Sequence, residues 1–400
     1  MNRTIVFAAL AAAAVIAHAQ PTPAAPPIKL GMIADFSSVF ADTVGKGSAT
    51  AIGMAIEDFG GSVLGRKIVL LTADHQNKPE VGANAARQWI DVEKIDAFVE
   101  TQSSSIALAV HDLARKSNTI NIMISPGTSD LTGKLCSANS VHWTWDTYMA
   151  VSGVVRPLVE KGFKSWYYIV PDAAFGRATV DDAKRILAAQ GATFAGSSAT
   201  ATGSTDFSSP LLQAQASKAQ VVVIGGGGQD ASNAIKQAAE FGISPAQQIA
   251  GVVVSTTEIN AVGLNTAKGL MVAETFYWDL NDQTRAWSKR YEAKTGRLPN
   301  QMNAGVYGAT THLLKSIQAA GTTKTDDVMR KMRELPINDL ATKNVKLRPD
   351  GRVERDVFLF QVKTPAESKS PADVYKLIAT IPGDKAFRPM ADGDCPLVKK

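Results

Sequence analysis

Two similar α/β lobes, each a largely parallel sheet covered on both faces by helices, are the fold this sequence predicts. Three observations carry the prediction. From Ile28 onward, short apolar runs alternate with amphipathic helical stretches, the pattern of parallel strands joined by crossover helices. The alternation occurs in two series, about 28–125 and 165–255. At 400 residues the chain is about two domains long and can bury a sizeable core.

Taken in order, the first nineteen residues stand apart from the fold. Arg3 supplies a positive start, "IVFAALAAAAVIA" an apolar run and Ala17-His18-Ala19 a small-x-small cleavage site, which together predict an export signal over 1–19. The run is short for a bilayer span, and the Pro/Ala-rich 20–27 that follows reads as a linker. The mature chain is therefore expected in the periplasm.

In the first series "IKLGMIADF", "KIVLLTAD", "IDAFVET" and "INIMISPG" read as strands. They are separated by the helical "GKGSATAIGMAIEDF", "KPEVGANAARQWIDV" and "SSIALAVHDLARKS". In the second series "SWYYIVPD", "QVVVIGGGG" and "QQIAGVVVS" are strands. The helices between them are "RATVDDAKRILAAQG" and "DASNAIKQAAEFG", with Gly191 and Gly242 where C-caps belong. Two further helices, "TRAWSKRYEAKTGRLPN" and "GVYGATTHLLKSIQAAG", precede "GRVERDVFLFQVK", which reads as an antiparallel strand pair before a polar tail.

Composition and motifs narrow the function. The formal charge of +5 is spread out, with no Lys/Arg block of the kind that binds nucleic acid. The histidines, His18, His75, His111, His142 and His312, show no metal-ligand spacing. Two cysteines, Cys136 and Cys395, are expected to pair in an oxidising compartment and tie down the tail. No P-loop and no G-x-S-x-G elbow occurs, and Ser103-Ser104-Ser105 lacks a recognisable base. Neither a metal, a cofactor nor an enzymatic activity is expected.

Gly226-Gly227-Gly228-Gln229-Asp230-Ala231 fits the G-x-G-x-x-A form of a dinucleotide turn. It lies deep in the chain, and no acidic residue ends the next strand, so the context that would make it a phosphate cradle is missing.

In sheets of this kind ligands bind beyond the carboxyl ends of the strands. The loops there are "DFSSVFAD", "ETQSSS", "SPGTSD", "PDAAFG", "GGGGQD", "VSTTE" and "TFYWD", rich in hydroxyls, glycines and aromatics and poor in acid–base pairs. Ser103 and Ser104 open a predicted helix, where free amides and the helix dipole attract an anion. Thr128, in the next loop, would complete a donor set for a carboxylate.

These stretches, with "DHQNKPEVGANAARQWI", "YIVPDAAFGRATVDDAKRI" and "GSTDFSSPLLQAQASKAQVVVIGGGG", resemble the type I periplasmic solute-binding proteins of ABC importers, the branched-chain amino-acid family. The likeness runs over nearly the whole mature chain. It implies two Rossmann-like lobes joined by hinge strands, the first from 28–145 with 279–355, the second from 146–278 with 356–400. It also implies a monomer that presents a small solute to a membrane-embedded permease.

Loop by loop, the resemblance implies that Gln102, Ser103 and Thr128 hold a ligand carboxylate and Phe40 forms a wall. Asp146 and Tyr148 fall at the crossover, Phe175 at a commonly aromatic position and Asn303 in the return segment. The family's glutamate for an amino acid's ammonium is matched by Val254 or Ser255, with Glu258 too far along. Gly227 and Gly228 stand where many relatives carry an aromatic, bringing backbone to the ligand or leaving room for a bulkier one. With the aromatics Phe276, Tyr277 and Trp278 nearby, the expected ligand is an aromatic or bulky apolar carboxylate. A branched-chain or other amino acid is the alternative ligand. A sensing module for a receptor and, last, an exported hydrolase are the alternative roles.

Overall fold

The computed structural model describes residues 25–398. The export signal read at 1–19 and most of the linker lie outside them. Thirteen strands are described. In the first half they are β1 (Ile28–Ala34), β2 (Ser62–Val63), β3 (Arg66–Asp74), β4 (Ala97–Thr101), β5 (Ile120–Met123) and β6 (Ser140–His142). They continue with β7 (Ser165–Pro171), β8 (Thr193–Thr200), β9 (Val221–Gly225), β10 (Gln248–Val252) and β11 (Met271–Glu274). The last two are β12 (Val357–Val362) and β13 (Tyr375–Ile381).

These form two sheets, in the orders β2-β3-β1-β4-β5-β6 and β13-β12-β11-β10-β9-β7-β8. The first is parallel apart from the β2–β3 hairpin. The second is parallel from β8 to β11 and then antiparallel through β12 and β13. Central strands such as β4 and β9 are buried along their whole length, as strands covered on both faces must be. Their apolar runs reflect that burial.

The helices explain how one chain builds both halves. Helix Gly45–Asp58 packs on the first sheet, and helices Asp282–Thr295 and Gln301–Ala320 return to it late in the chain. Asn303 Nδ2 donates to Ser48 Oγ at 3.1 Å, and Arg290 pairs with Asp58 at 2.6 Å. Helix Thr147–Glu160, by contrast, lies against the second sheet, where a Cβ on Gly153 would press into Ala273 and Val357. Up to β13 the chain thus passes between the two halves three times, near 143–147, 275–281 and 353–357. Helix ends follow sequence chemistry: Gly191 (φ 62°) and Gly242 (φ 64°) take the left-handed turn just past two helices.

One element differs from its sequence reading. "GRVERDVFLFQVK" does not fold back on itself: β12 pairs antiparallel with β11 on one side and with β13, from the polar C-terminal region, on the other. Residues before β12 instead cross to the first half, where Val353 N donates to His142 O at 3.2 Å. Alternation alone could not separate a hairpin from two strands of different sheets. Among the described residues no helix is long and apolar enough to cross a membrane.

Cys136 and Cys395 are bonded, with Cα atoms 5.6 Å apart across a separation of 259 residues. Arg388 Nη2 donates to Ser129 O at 2.8 Å beside them, so the tail is held on the first half. A cross-link over so long a loop restricts the unfolded chain strongly. Converting both cysteines to serine is expected to lower stability by about 2–4 kcal/mol. Urea unfolding would check this, and an unchanged midpoint would refute it.

Candidate functional site

A cavity of about 370 Å³ opens between the carboxyl ends of the two sheets, within the range of small-molecule sites. The first half contributes Phe40, Gln102, Ser103, Ser104, Ser105 and Ser125, and the second Phe175, Phe207, Gly226, Gly227, Asp230 and Val253. Trp145 lines it at the crossing.

The first-half wall is a set of neutral donors. Ser103 sits at φ 73° ahead of helix Ser104–Lys116, and its hydroxyl makes no capping bond. Ser104 Oγ accepts from the amides of Gly127 and Thr128, both at 3.1 Å, which leaves its own proton to donate. The first-turn amides of this helix lack intrahelical acceptors. Asp35 shapes the loop in front: its carboxylate accepts from Ser37 N, Ser38 N and Phe40 N, which holds Phe40 at the cavity. Behind Ser125 lies buried Glu100, taking Ser125 Oγ at 2.6 Å.

The apolar part comes from Phe40, Trp145, Phe175 and Phe207. Trp145 and Phe175 meet edge to face at 6.1 Å, a favoured ring geometry. A Cβ at Gly127 would collide with the Trp145 ring, so glycine is required there. The Trp145 indole N–H is buried and finds no partner among the described residues. Val253, a β-branched residue, is held at φ 72° opposite the serines. Strain of this kind, on both walls, marks functional sites.

The structure gathers Phe40, Gln102, Ser103, Ser104, Phe175 and Gly227 around the cavity. The other sequence candidates are engaged elsewhere. Thr128 caps a short 3₁₀ turn, accepting from Asp130 N. Asp146 caps helix Thr147–Glu160 through Met149 N at 2.7 Å and pairs with Arg352 at 3.3 Å. Tyr148 is buried near Arg156. Phe276 packs edge-on against Trp287, and Tyr277 Oη donates to Ala372 O. Ser255 caps helix Thr256–Val262, and Asn303 completes a capping box with Asn300.

Gly228, at φ 66°, is glycine because a side chain would strike the Val39 carbonyl of the opposite half. Its role is the closeness of the halves rather than space for a ligand. Sequence reading passed over Trp145, Phe207, Asp230 and Val253. The only signal for Trp145 was its place beside the chosen Asp146, and adjacent residues in an extended segment face opposite ways.

Glu258 lies outside the cavity lining. It is buried, and its carboxylate is fully occupied by Thr43 Oγ1 (2.8 Å), Gly228 N (2.9 Å), Ser255 N (2.8 Å) and Ser255 Oγ (2.7 Å). Thr43 belongs to the first half and the other donors to the second, so this carboxylate fastens the two together. Among the described residues no cluster of His, Cys, Asp or Glu could hold a metal.

A solute cavity shut between two α/β lobes, themselves linked by three crossings, defines a two-lobed solute-binding protein. Residues 27–369 match the family model for periplasmic binding protein, and the chain belongs to that family, in its type I form. It is similar to a periplasmic binding protein from Burkholderia mallei, 37% identical, with 93% of this chain and 99% of that one aligned at a TM-score of 0.90. A branched chain amino acid ABC transporter periplasmic ligand-binding protein from Burkholderia xenovorans is 35% identical over 92% of this chain and 99% of its own, with a TM-score of 0.83. The Leu/Ile/Val-binding protein BraC3 of Rhizobium johnstonii is 27% identical over 330 residues, 80% of this chain and 85% of that protein.

Burial drives the Glu100 carboxyl from an ordinary 4.5 to about 7, against the lowering effect of Ser125. The folded state therefore binds this proton more tightly than the unfolded chain. Stability is full below about pH 4.5 and falls as pH rises through about 7. Glu100→Gln is expected to be more stable than the parent by a few kcal/mol above that window and not below it. Paired melts at acidic and alkaline pH would show a constant difference if the expectation is wrong.

Proposed function

We propose that this protein is the exported, non-catalytic solute-binding component of an ABC importer, closing on a small carboxylate with an aromatic or bulky apolar body. Its two lobes, 28–145 with 279–355 and 146–278 with 356–400, whose C-terminal tail is tied back to the first lobe through Cys136–Cys395, act as the jaws of a monomeric clamp that hands the solute to a membrane permease. One observation carries the ligand class: the cavity joins a neutral donor set, Ser103 and Ser104 with first-turn amides, to the rings of Phe40, Trp145, Phe175 and Phe207, with no Lys, Arg or His among the described residues that line it. Neutral hydroxyls and amides at a helix start hold a carboxylate without a counter-cation. The rings supply apolar contact over the rest of the solute.

An amino acid remains the second reading, favoured by the names of the relatives rather than by the cavity. Glu258, which follows the expected ammonium site in the chain, is occupied by four donors and is not part of the cavity lining. Closure brings Thr43 to Glu258 and Val39 to Gly228, so bound solute and inter-lobe contacts stabilise the same state.

Calorimetric titration of the mature protein with aromatic carboxylates and with branched-chain and aromatic amino acids separates the readings. Binding of amine-free carboxylates supports the proposal, and binding of amino acids alone overturns it. Ser103→Ala is expected to weaken carboxylate binding about tenfold or more, the worth of one hydrogen bond to a charged group. An unchanged affinity would remove Ser103 from the site.

A further inference from the structure

Asp230 is the one ionisable side chain among the described residues that line the cavity. It stands in the first turn of helix Gly228–Glu240, where the dipole favours negative charge. Its neighbours in the wall include Phe207, Ile224 and Ala231. Among the described residues no Lys, Arg or His lines the cavity with it, and it forms no ion pair.

Its protein contacts are modest. Both carboxylate oxygens are shared by a single amide, Gly203 N, at 3.1 and 2.9 Å. An ionised carboxylate has about four acceptor sites, so most of its capacity is unused. Pinning the 200–204 loop through Gly203 needs only one oxygen, which an asparagine would supply equally well. Beyond its favourable place at the helix start, the charge meets no cation among the described residues, and the second oxygen has no donor of its own. Burial already pushes the Asp230 carboxyl above its ordinary value, with the Gly203 amide opposing. A closed, dry cavity would make a bare carboxylate there costly unless a donor met it.

We propose that Asp230 accepts a hydrogen bond from the solute, so the ligand is a carboxylate that also carries a donor group, a hydroxyl or an amine. This rests on the carboxylate reading above. The two ends of the solute are then sorted by charge. Its acid faces Ser103 and Ser104 on the first lobe, because Asp230 repels it from the second. Its donor faces Asp230. Specificity of this kind is strong, because a solute lacking the donor leaves a partly buried charge unpaired.

The test is titration calorimetry with matched pairs: benzoate against its ring-hydroxylated and ring-amino forms at each position, and phenylpropionate against the same substitutions. 4-(Aminomethyl)benzoate serves as a cationic arm to tell an ammonium from a hydroxyl. The parent protein is expected to prefer at least one donor-bearing member by about tenfold or more. In Asp230→Asn, which retains an acceptor for Gly203 N, that preference should fall to about threefold or less. Binding of the unsubstituted acid should tighten in that variant, because no charge is then left unpaired, and the melting temperature should stay close to the parent's. A preference that survives in Asp230→Asn, or equal binding of every pair by the parent, overturns the role of Asp230 and leaves the carboxylate reading standing. If no carboxylate binds the parent, the carboxylate reading fails and this inference fails with it.

Discussion

A guanidinium and a carboxylate, both shut away from water, sit where the chain passes between its two lobes. Arg352 Nη1 donates to Asp146 Oδ2 at 3.3 Å and to the Trp145 carbonyl at 3.0 Å. Its guanidinium lies over the Phe387 ring at 4.5 Å. Burial pushes the Arg352 group down to about 10, and Asp146 opposes that shift, so it stays charged at neutral pH. Separating such a pair strands a buried charge at a cost of about 3–5 kcal/mol. Three things depend on it: the first and last crossings are tied together, the start of helix Thr147–Glu160 is set through Asp146, and Trp145 is fixed at the cavity.

Around that pivot, polar groups also join the lobes. Glu258 takes Thr43, Gln229 N donates to Val39 O at 3.3 Å, and Asn300 Nδ2 reaches both Thr43 O and Thr257 Oγ1. On the other side Asp182 accepts from Ser129 and Thr147. Hydrogen bonds of this type contribute about 1–3 kcal/mol each when made and can be exchanged for water when the lobes part. An interface built this way can open, which a clamp requires. Ser103 and Val253, held at positive φ on opposite walls, place backbone and side chain at the cavity in conformations that the rest of each lobe must maintain.

Much of this was legible in the sequence because it depends on local patterns. The strands read from "IKLGMIADF", "KIVLLTAD" and "QVVVIGGGG" lie in the sheets, and Ser103, Ser104 and Phe175 line the cavity because helix starts and strand ends have local signatures. Asp146, Thr128 and Ser255 share the same signature, a short polar side chain before a helix, and Asn303 has a related one in a helix's first turn. In the structure all four take part in capping, and Asp146 and Asn303 bond Arg352 and Ser48 as well. Composition cannot tell a capping hydroxyl from a ligand-facing one, since both roles use the same atoms at the same place.

By itself the sequence determined the α/β class, the two series of strands, the pairing expected of Cys136 with Cys395 and a site at the strand ends. Each follows from spacing, chain length or the chemistry of a residue type. Only the tertiary structure decided which side chains line the cavity. Trp145 rather than Asp146, Gly127 rather than Thr128 and Val253 rather than Ser255 line the cavity. That choice turns on the direction of a backbone segment and on what the opposite lobe already occupies. Gly228 shows the reason most plainly: its missing side chain answers to Val39, 189 residues earlier in the chain, a constraint that exists only once the two lobes are together.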